Sequence, residues 1–96
     1  MLLVVTYDVD TKTVSGEKRL RKVAKICERY GVRVQNSVFE VIVSAAEATV
    51  LKEELKEIID LKLDSVRFYR LGNSYAHKIE KMGKQSLVQT GEALMF

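Results

Sequence analysis

At 96 residues with 47% hydrophobic side chains, the chain is sized for one domain around a single core. Its single cysteine, Cys27, excludes an intramolecular disulfide and a four-thiolate zinc site, and suits a reducing compartment. No apolar run approaches the roughly 18 residues of a membrane span, and the net charge of +3 is too small to define a partner until its distribution is examined.

Residues 2–9, "LLVVTYDV", are β-branched and apolar on both alternations, the pattern of a strand covered on both faces. Met1 leads straight into this strand without a basic n-region, so a secretory signal is not expected and a cytoplasmic location is. Residues 10–16, "DTKTVSG", form a turn-rich loop with Ser15 as the candidate helix cap. From Glu17 to Tyr30 the apolar positions Leu20, Val23, Ala24, Cys27 and Tyr30 make a helical stripe, which Gly31 ends. Residues 17–33 hold seven basic side chains against two acidic ones, a net of +5. Too few acids lie four residues away to pair that charge internally. Arg19, Arg21, Lys22 and Lys25 are therefore candidates for contact with the phosphates of a nucleic acid, contacts that position a polyanion without reading its bases.

Residues 32–43, "VRVQNSVFEVIV", set Val32, Val34, Val38 and Ile42 against Arg33, Gln35, Ser37 and Phe39 and read as strand, bent or bulged in the middle. A second helix is expected over 45–61 with Leu51, Leu55, Ile58 and Ile59 inward, and residues 45–64 are mildly acidic, at −3. "DSVRFYRLG", residues 64–72, is a further strand ending at a Gly-Asn turn, with Phe68 inward and Arg67 and Arg70 on opposite faces. Residues 76–82 fit a short strand or a helical turn. The tail 83–96 ends in Leu94, Met95 and Phe96, an apolar terminus suited to docking on a sheet edge of this chain or of a partner.

The order β-α-β-β-α-β is the ferredoxin-like α+β sandwich, a single domain over 1–96 with its core in about 2–82. Helices cover one face of such a sheet. Because the first strand is apolar on both sides, homodimerisation through the other face is expected.

The chemistry-bearing candidate is Asp8, at the tip of the first strand beside Tyr7. As a structural residue it would cap the loop or pair with the basic helix. As a functional one it lacks companions, because the acids have neither EF-hand spacing nor the clustering of a two-metal nuclease. Two copies across a twofold axis would supply a second carboxylate, enough for Mg²⁺, which commonly keeps waters and substrate phosphates as its other ligands. A nucleophilic pair of Cys27 and His77 is not expected, since Cys27 lies on the apolar stripe.

"VVTYDV", "KRLRKVAK", "RVQNSVFE" and "RFYRLG" together resemble the small CRISPR-associated protein family Cas-two, over residues 2–72 in order and spacing. The resemblance implies a ferredoxin-like homodimer whose C-terminal segment adds to the partner's sheet. It also implies a complex with the adaptation integrase, bridged along DNA. It implies metal-dependent endonuclease activity on DNA or single-stranded RNA, with Mg²⁺ or Mn²⁺ held by Asp8 of each protomer. Tyr7 then matches the aromatic residue before the ligand, and Arg33 and Phe39 match positions tied to activity and nucleic-acid contact. The other readings of the same residues are a non-catalytic DNA-binding scaffold for integration, a ribonuclease toxin of the virulence-associated D type, and, more distantly, a small-molecule regulatory domain.

Overall fold

In a computed structural model that describes residues 1–80 and 82, the elements run β1 (Leu2–Asp8), α1 (Val14–Glu28), β2 (Gly31–Gln35), β3 (Val38–Ile42), α2 (Ala45–Ile58) and β4 (Ser65–Gly72), then a short 3₁₀ turn (Tyr75–His77). The strands form one antiparallel sheet in the order β2-β3-β1-β4. This is the ferredoxin-like arrangement, with both helices on one face. Of the two options for residues 76–82, a helical turn is found at its start, within Tyr75–His77; residue 81 and the tail 83–96 lie outside the described residues.

Each element has a local reason. Thr13 caps α1, its Oγ1 accepting from the Gly16 amide at 3.1 Å. The expected cap, Ser15, instead lies in the first turn and accepts from Arg19 Nη1 at 2.9 Å. The helix starts earlier than its apolar stripe suggests because Thr13 caps it, and Gly16 in its first turn packs against the backbone of the β1–α1 loop. A Cβ there would collide with the Asp10 carbonyl. At α2, Ser44 and Glu47 form a reciprocal capping box, with Glu47 N to Ser44 Oγ at 3.1 Å and Ser44 N to Glu47 Oε1 at 2.8 Å.

The stretch read as one bent strand over 32–43 is a hairpin, turning at Asn36 and Ser37, and β2 also carries a register shift between Arg33 and Gln35. The turn changes which side chains meet the helices. Phe39 and Val41 enter the core, whereas the apolar set read from sequence, Val38 and Ile42, points to the helix-free face. The helix-side core gathers Leu3, Val5, Tyr7, Val23, Cys27, Phe39, Val41, Leu51 and Leu55, with Phe68 packed against it.

The helix-free face is covered in part by the chain itself. Leu2 and Val32 are buried there with Leu71 and Ile79 around them, while Ile42 beside Leu2 remains 41% exposed. Strand β1 is thus apolar on both faces because each has a cluster to enter.

Candidate active site at the tip of β1

Strand alternation separates the two residues at the end of β1. Tyr7 turns to the helix side, is buried, stacks on Phe39 with ring centroids 6.2 Å apart, and donates its hydroxyl to the Asn36 carbonyl at 3.2 Å. Burial raises the Tyr7 hydroxyl above its ordinary pKa, with Arg33 pulling weakly the other way. It is a neutral structural phenol. Asp8, expected to work beside it, lies on the opposite face and is exposed.

Register decides Asp8's neighbours. In the β1–β4 ladder Asp8 faces Ser65, Thr6 faces Arg67 and Val4 faces Tyr69, all on the helix-free side. Thr6, Tyr7, Asp8, Ser65, Arg67 and Tyr69 line an open concavity of about 250 Å³ at this end of the sheet, although the Tyr7 ring itself is buried on the other face. Among the described residues β4 is an edge strand of the sheet. Among the described residues, the Asp8 carboxylate accepts no hydrogen bond and pairs with no cation.

Asp64, next to Ser65 in the chain, is the opposite case. Its side chain is 0% exposed and both oxygens are occupied. Oδ1 accepts from Asp10 N at 3.0 Å and Arg19 Nη2 at 3.3 Å; Oδ2 accepts from Arg19 Nε at 2.7 Å and Asp60 N at 2.8 Å. Burial pushes this carboxyl up, but the Arg19 bond and the backbone amides of Asp60 and Asp10 outweigh it, and the net direction is down. Arg19 also reaches the Asp10 carbonyl, so the pair ties α1 and the α2–β4 loop to the loop that follows Asp8.

The other candidates divide. Arg19, expected on phosphates, is engaged by Asp64. Arg21, Lys22 and Lys25 are exposed and make no ion pair among the described residues, yet α1 packs on the sheet face opposite Asp8. Phe39 is 0% exposed, so it presents no ring face to a base; alternation carries it inward. Arg33 lies over that ring at 5.3 Å and reaches Glu28 at 3.5 Å. The residues that sequence reading did not attach to Asp8 are Ser65, Arg67 and Tyr69. Their signal was the period-2 alternation of "SVRFYR", which needs the β1–β4 register before it means anything.

The donor set can be tested against the divalent ion that the family resemblance implies. Among the described residues no three of His, Cys, Asp and Glu are arranged to hold a metal ion. One exposed carboxylate with two hydroxyl residues beside it fits Mg²⁺ only as a half-site, completed by a second chain, water and substrate oxygens. It does not fit a cage built by one chain. No helix among the described residues is long and apolar enough to cross a membrane.

Residues 1–79 match the family model described as CRISPR associated protein Cas2. The chain is 52% identical over all 96 residues of both proteins to a "CRISPR-associated endonuclease Cas2" of Halalkalibacterium halodurans. It is 49% identical over 83 residues, 86% of each chain, to a "CRISPR-associated endoribonuclease Cas2" of Chlorobaculum tepidum. The crystal structure of Streptococcus pyogenes Cas2 at pH 6.5 superposes with a TM-score of 0.76 at 54% identity, covering 86% of this chain and all of that one. The chain belongs to the CRISPR associated protein Cas2 family.

Proposed function

We propose that this Cas2 family member works in CRISPR adaptation as a homodimer that hydrolyses phosphodiester bonds of RNA or DNA with Mg²⁺ or Mn²⁺, alongside the adaptation integrase. The observation that carries the reading is Asp8: a carboxylate at the end of a buried strand, exposed and without hydrogen bond or ion pair among the described residues. The names of relatives, endonuclease in one and endoribonuclease in another, support hydrolysis of a nucleic-acid backbone.

The uncovered part of the helix-free face, with Ile42 and the Asp8 end of β1, is the surface on which a second copy would sit. A twofold axis there brings one Asp8 from each chain into a common site. When bound, the divalent ion polarises a phosphoryl oxygen and makes its own water more acidic. Asp8 contributes the negative charge that binds and orients that ion. Thr6 and Ser65 offer hydroxyls to its hydration shell. The Arg19–Asp64 tie fixes the backbone at Asp10, two residues beyond Asp8, which limits how far the strand tip can move.

The test is cleavage of single-stranded RNA and duplex DNA by purified protein with Mg²⁺, Mn²⁺ or EDTA, beside Asp8→Asn. Metal-dependent cutting lost in the variant is expected; equal cutting by both proteins would sink the assignment.

One observation favours a second reading, the non-catalytic scaffold. The exposed cations Lys18, Arg21, Lys22 and Lys25 form a face on α1 remote from Asp8, and that face can hold a DNA backbone whether or not Asp8 does chemistry. DNA binding and spacer acquisition that survive Asp8→Asn would select it.

A further inference from the structure

Asp8 stands at the very end of its ladder. Its pair across β1–β4 is Ser65, the first residue of β4. On the other side the β1–β3 ladder has already ended at Thr6 and Val38, and only the Tyr7 amide still reaches across, to the Ser37 carbonyl at 3.1 Å. Terminal pairs of a ladder fray, because the backbone beyond them has no regular partner. Here side chains take the place of the missing rung. Asp64, one residue before Ser65, accepts from the Asp10 amide at 3.0 Å. Arg19, bound to Asp64 through Nε at 2.7 Å, donates from Nη2 to the Asp10 carbonyl at 3.4 Å. Gly16 lies against that same carbonyl, and Val9, between Asp8 and Asp10, is buried. The backbone of Asp10 is thus gripped through both its amide and its carbonyl, by residues that themselves make no hydrogen bond or ion pair with Asp8. An apolar pair of similar volume could join α1 to the α2–β4 loop as firmly. It could not bind the amide and carbonyl just past the strand tip.

We infer that Arg19 and Asp64 are positioning residues for the hydrolysis: they keep the Asp8–Ser65 pair closed and so hold Asp8 where one divalent ion can be shared with a second copy. The inference rests on the proposed function for the ion and the twofold site. Each chain supplies one carboxylate to that site, so slack at the strand tip enters twice. Arg19 is accordingly occupied inside the protein and is not a phosphate ligand, whereas Arg21, Lys22 and Lys25 on the same helix remain available to a polyanion.

The experiment compares the full chain with its Arg19→Gln and Asp64→Asn variants, at a temperature where melts show each of them folded. Val41→Ala, a core truncation paired with Leu3 at the other end of β1, reports what lost stability does by itself. Amide hydrogen exchange by NMR should quicken about 10-fold at residues 8–10 and 65 in Arg19→Gln and Asp64→Asn, beyond any change shared by the rest of the sheet. In Val41→Ala those amides should only follow the rest. The Mn²⁺ concentration giving half-maximal cleavage should rise about 10-fold in the same two variants and stay put in Val41→Ala. Binding of single-stranded RNA in EDTA, followed by fluorescence anisotropy across a salt series, should be the same for Arg19→Gln as for wild type. Should Arg19→Gln fail to fold, Arg19→Lys, which keeps the charge but has no second arm for the Asp10 carbonyl, decides in its place. Exchange at residues 8–10 that rises no more than in Val41→Ala overturns the inference, and so does an unchanged Mn²⁺ midpoint. Weaker RNA binding with a salt slope smaller by about 0.7 also overturns it, by returning Arg19 to a phosphate. Asp8→Asn, run in parallel, keeps the two ideas apart. If it cuts like wild type, hydrolysis at Asp8 fails and takes the inference with it. If it is inactive while Arg19→Gln and Asp64→Asn cut with the Mn²⁺ dependence of wild type, the inference alone fails.

Discussion

Asp8 and Asp64 lie at the same end of one sheet, with Ser65 adjacent to Asp64 in sequence and opposite Asp8 in the ladder. Asp64 is sealed from solvent and receives four donors; Asp8 is in solvent and receives none among the described residues. The contrast separates two uses of one functional group. A carboxylate whose lone pairs are filled has no capacity left for a metal or a substrate, and its removal is felt as lost stability. A carboxylate kept empty contributes little to folding and retains its full binding capacity. The first is tied to the backbone of Asp10, two residues beyond the second.

The comparison breaks most sharply on activity. Asp8→Asn should cost on the order of 10²-fold or more in metal-dependent cleavage, with stability changed by no more than about 0.5 kcal/mol; cleavage rates and a denaturant melt on one preparation check both. Asp64→Asn should show the mirror image in stability, a loss of about 3 kcal/mol, because it leaves the Arg19 guanidinium, only 15% exposed, without its counter-charge.

Acid titration sharpens the same point. The Asp64 carboxyl titrates below its ordinary 3.8, so the stability it contributes is present above that value and lost as pH falls through the lowered folded one. Wild type should weaken below about pH 4, and Asp64→Asn should lose that part of the acid dependence, read from melts over a pH series. Cys27 extends the contrast to a thiol. Burial pushes its pKa up to about 12, so it should stay unreactive to a thiol reagent in the folded protein and react in denaturant. A small effect is also expected at Arg29, whose pair with Glu54 is 59% and 30% exposed. Arg29→Ala should lower the melting temperature only slightly, and less in high salt.

Most of the fold is legible in short-range patterns. The stripe Leu20, Val23, Ala24, Cys27 announces α1, and Val23, Ala24 and Cys27 are buried in it. "LLVVTYD" announces a strand with two covered faces, and Leu2 and Leu3 enter different clusters. The hairpin at Asn36–Ser37 was harder to see, because one register shift and one turn hide inside a run of valines. That obscurity reversed the reading of Phe39, from a surface aromatic to a core one.

The sequence by itself determined the helices, the strand carrying Asp8, the concentration of positive charge on α1 and the family to which the chain is similar. All of these are written in residue types and in periods of two or 3.6, which neighbouring residues impose on one another. Tertiary structure decided what each charge does. Whether Arg19 meets a phosphate or Asp64, and which residues of β4 face Asp8, depends on partners 45 residues away in one case and on the β1–β4 register in the other. Charge and hydrogen bonding act through space, and only the closed sheet sets those distances.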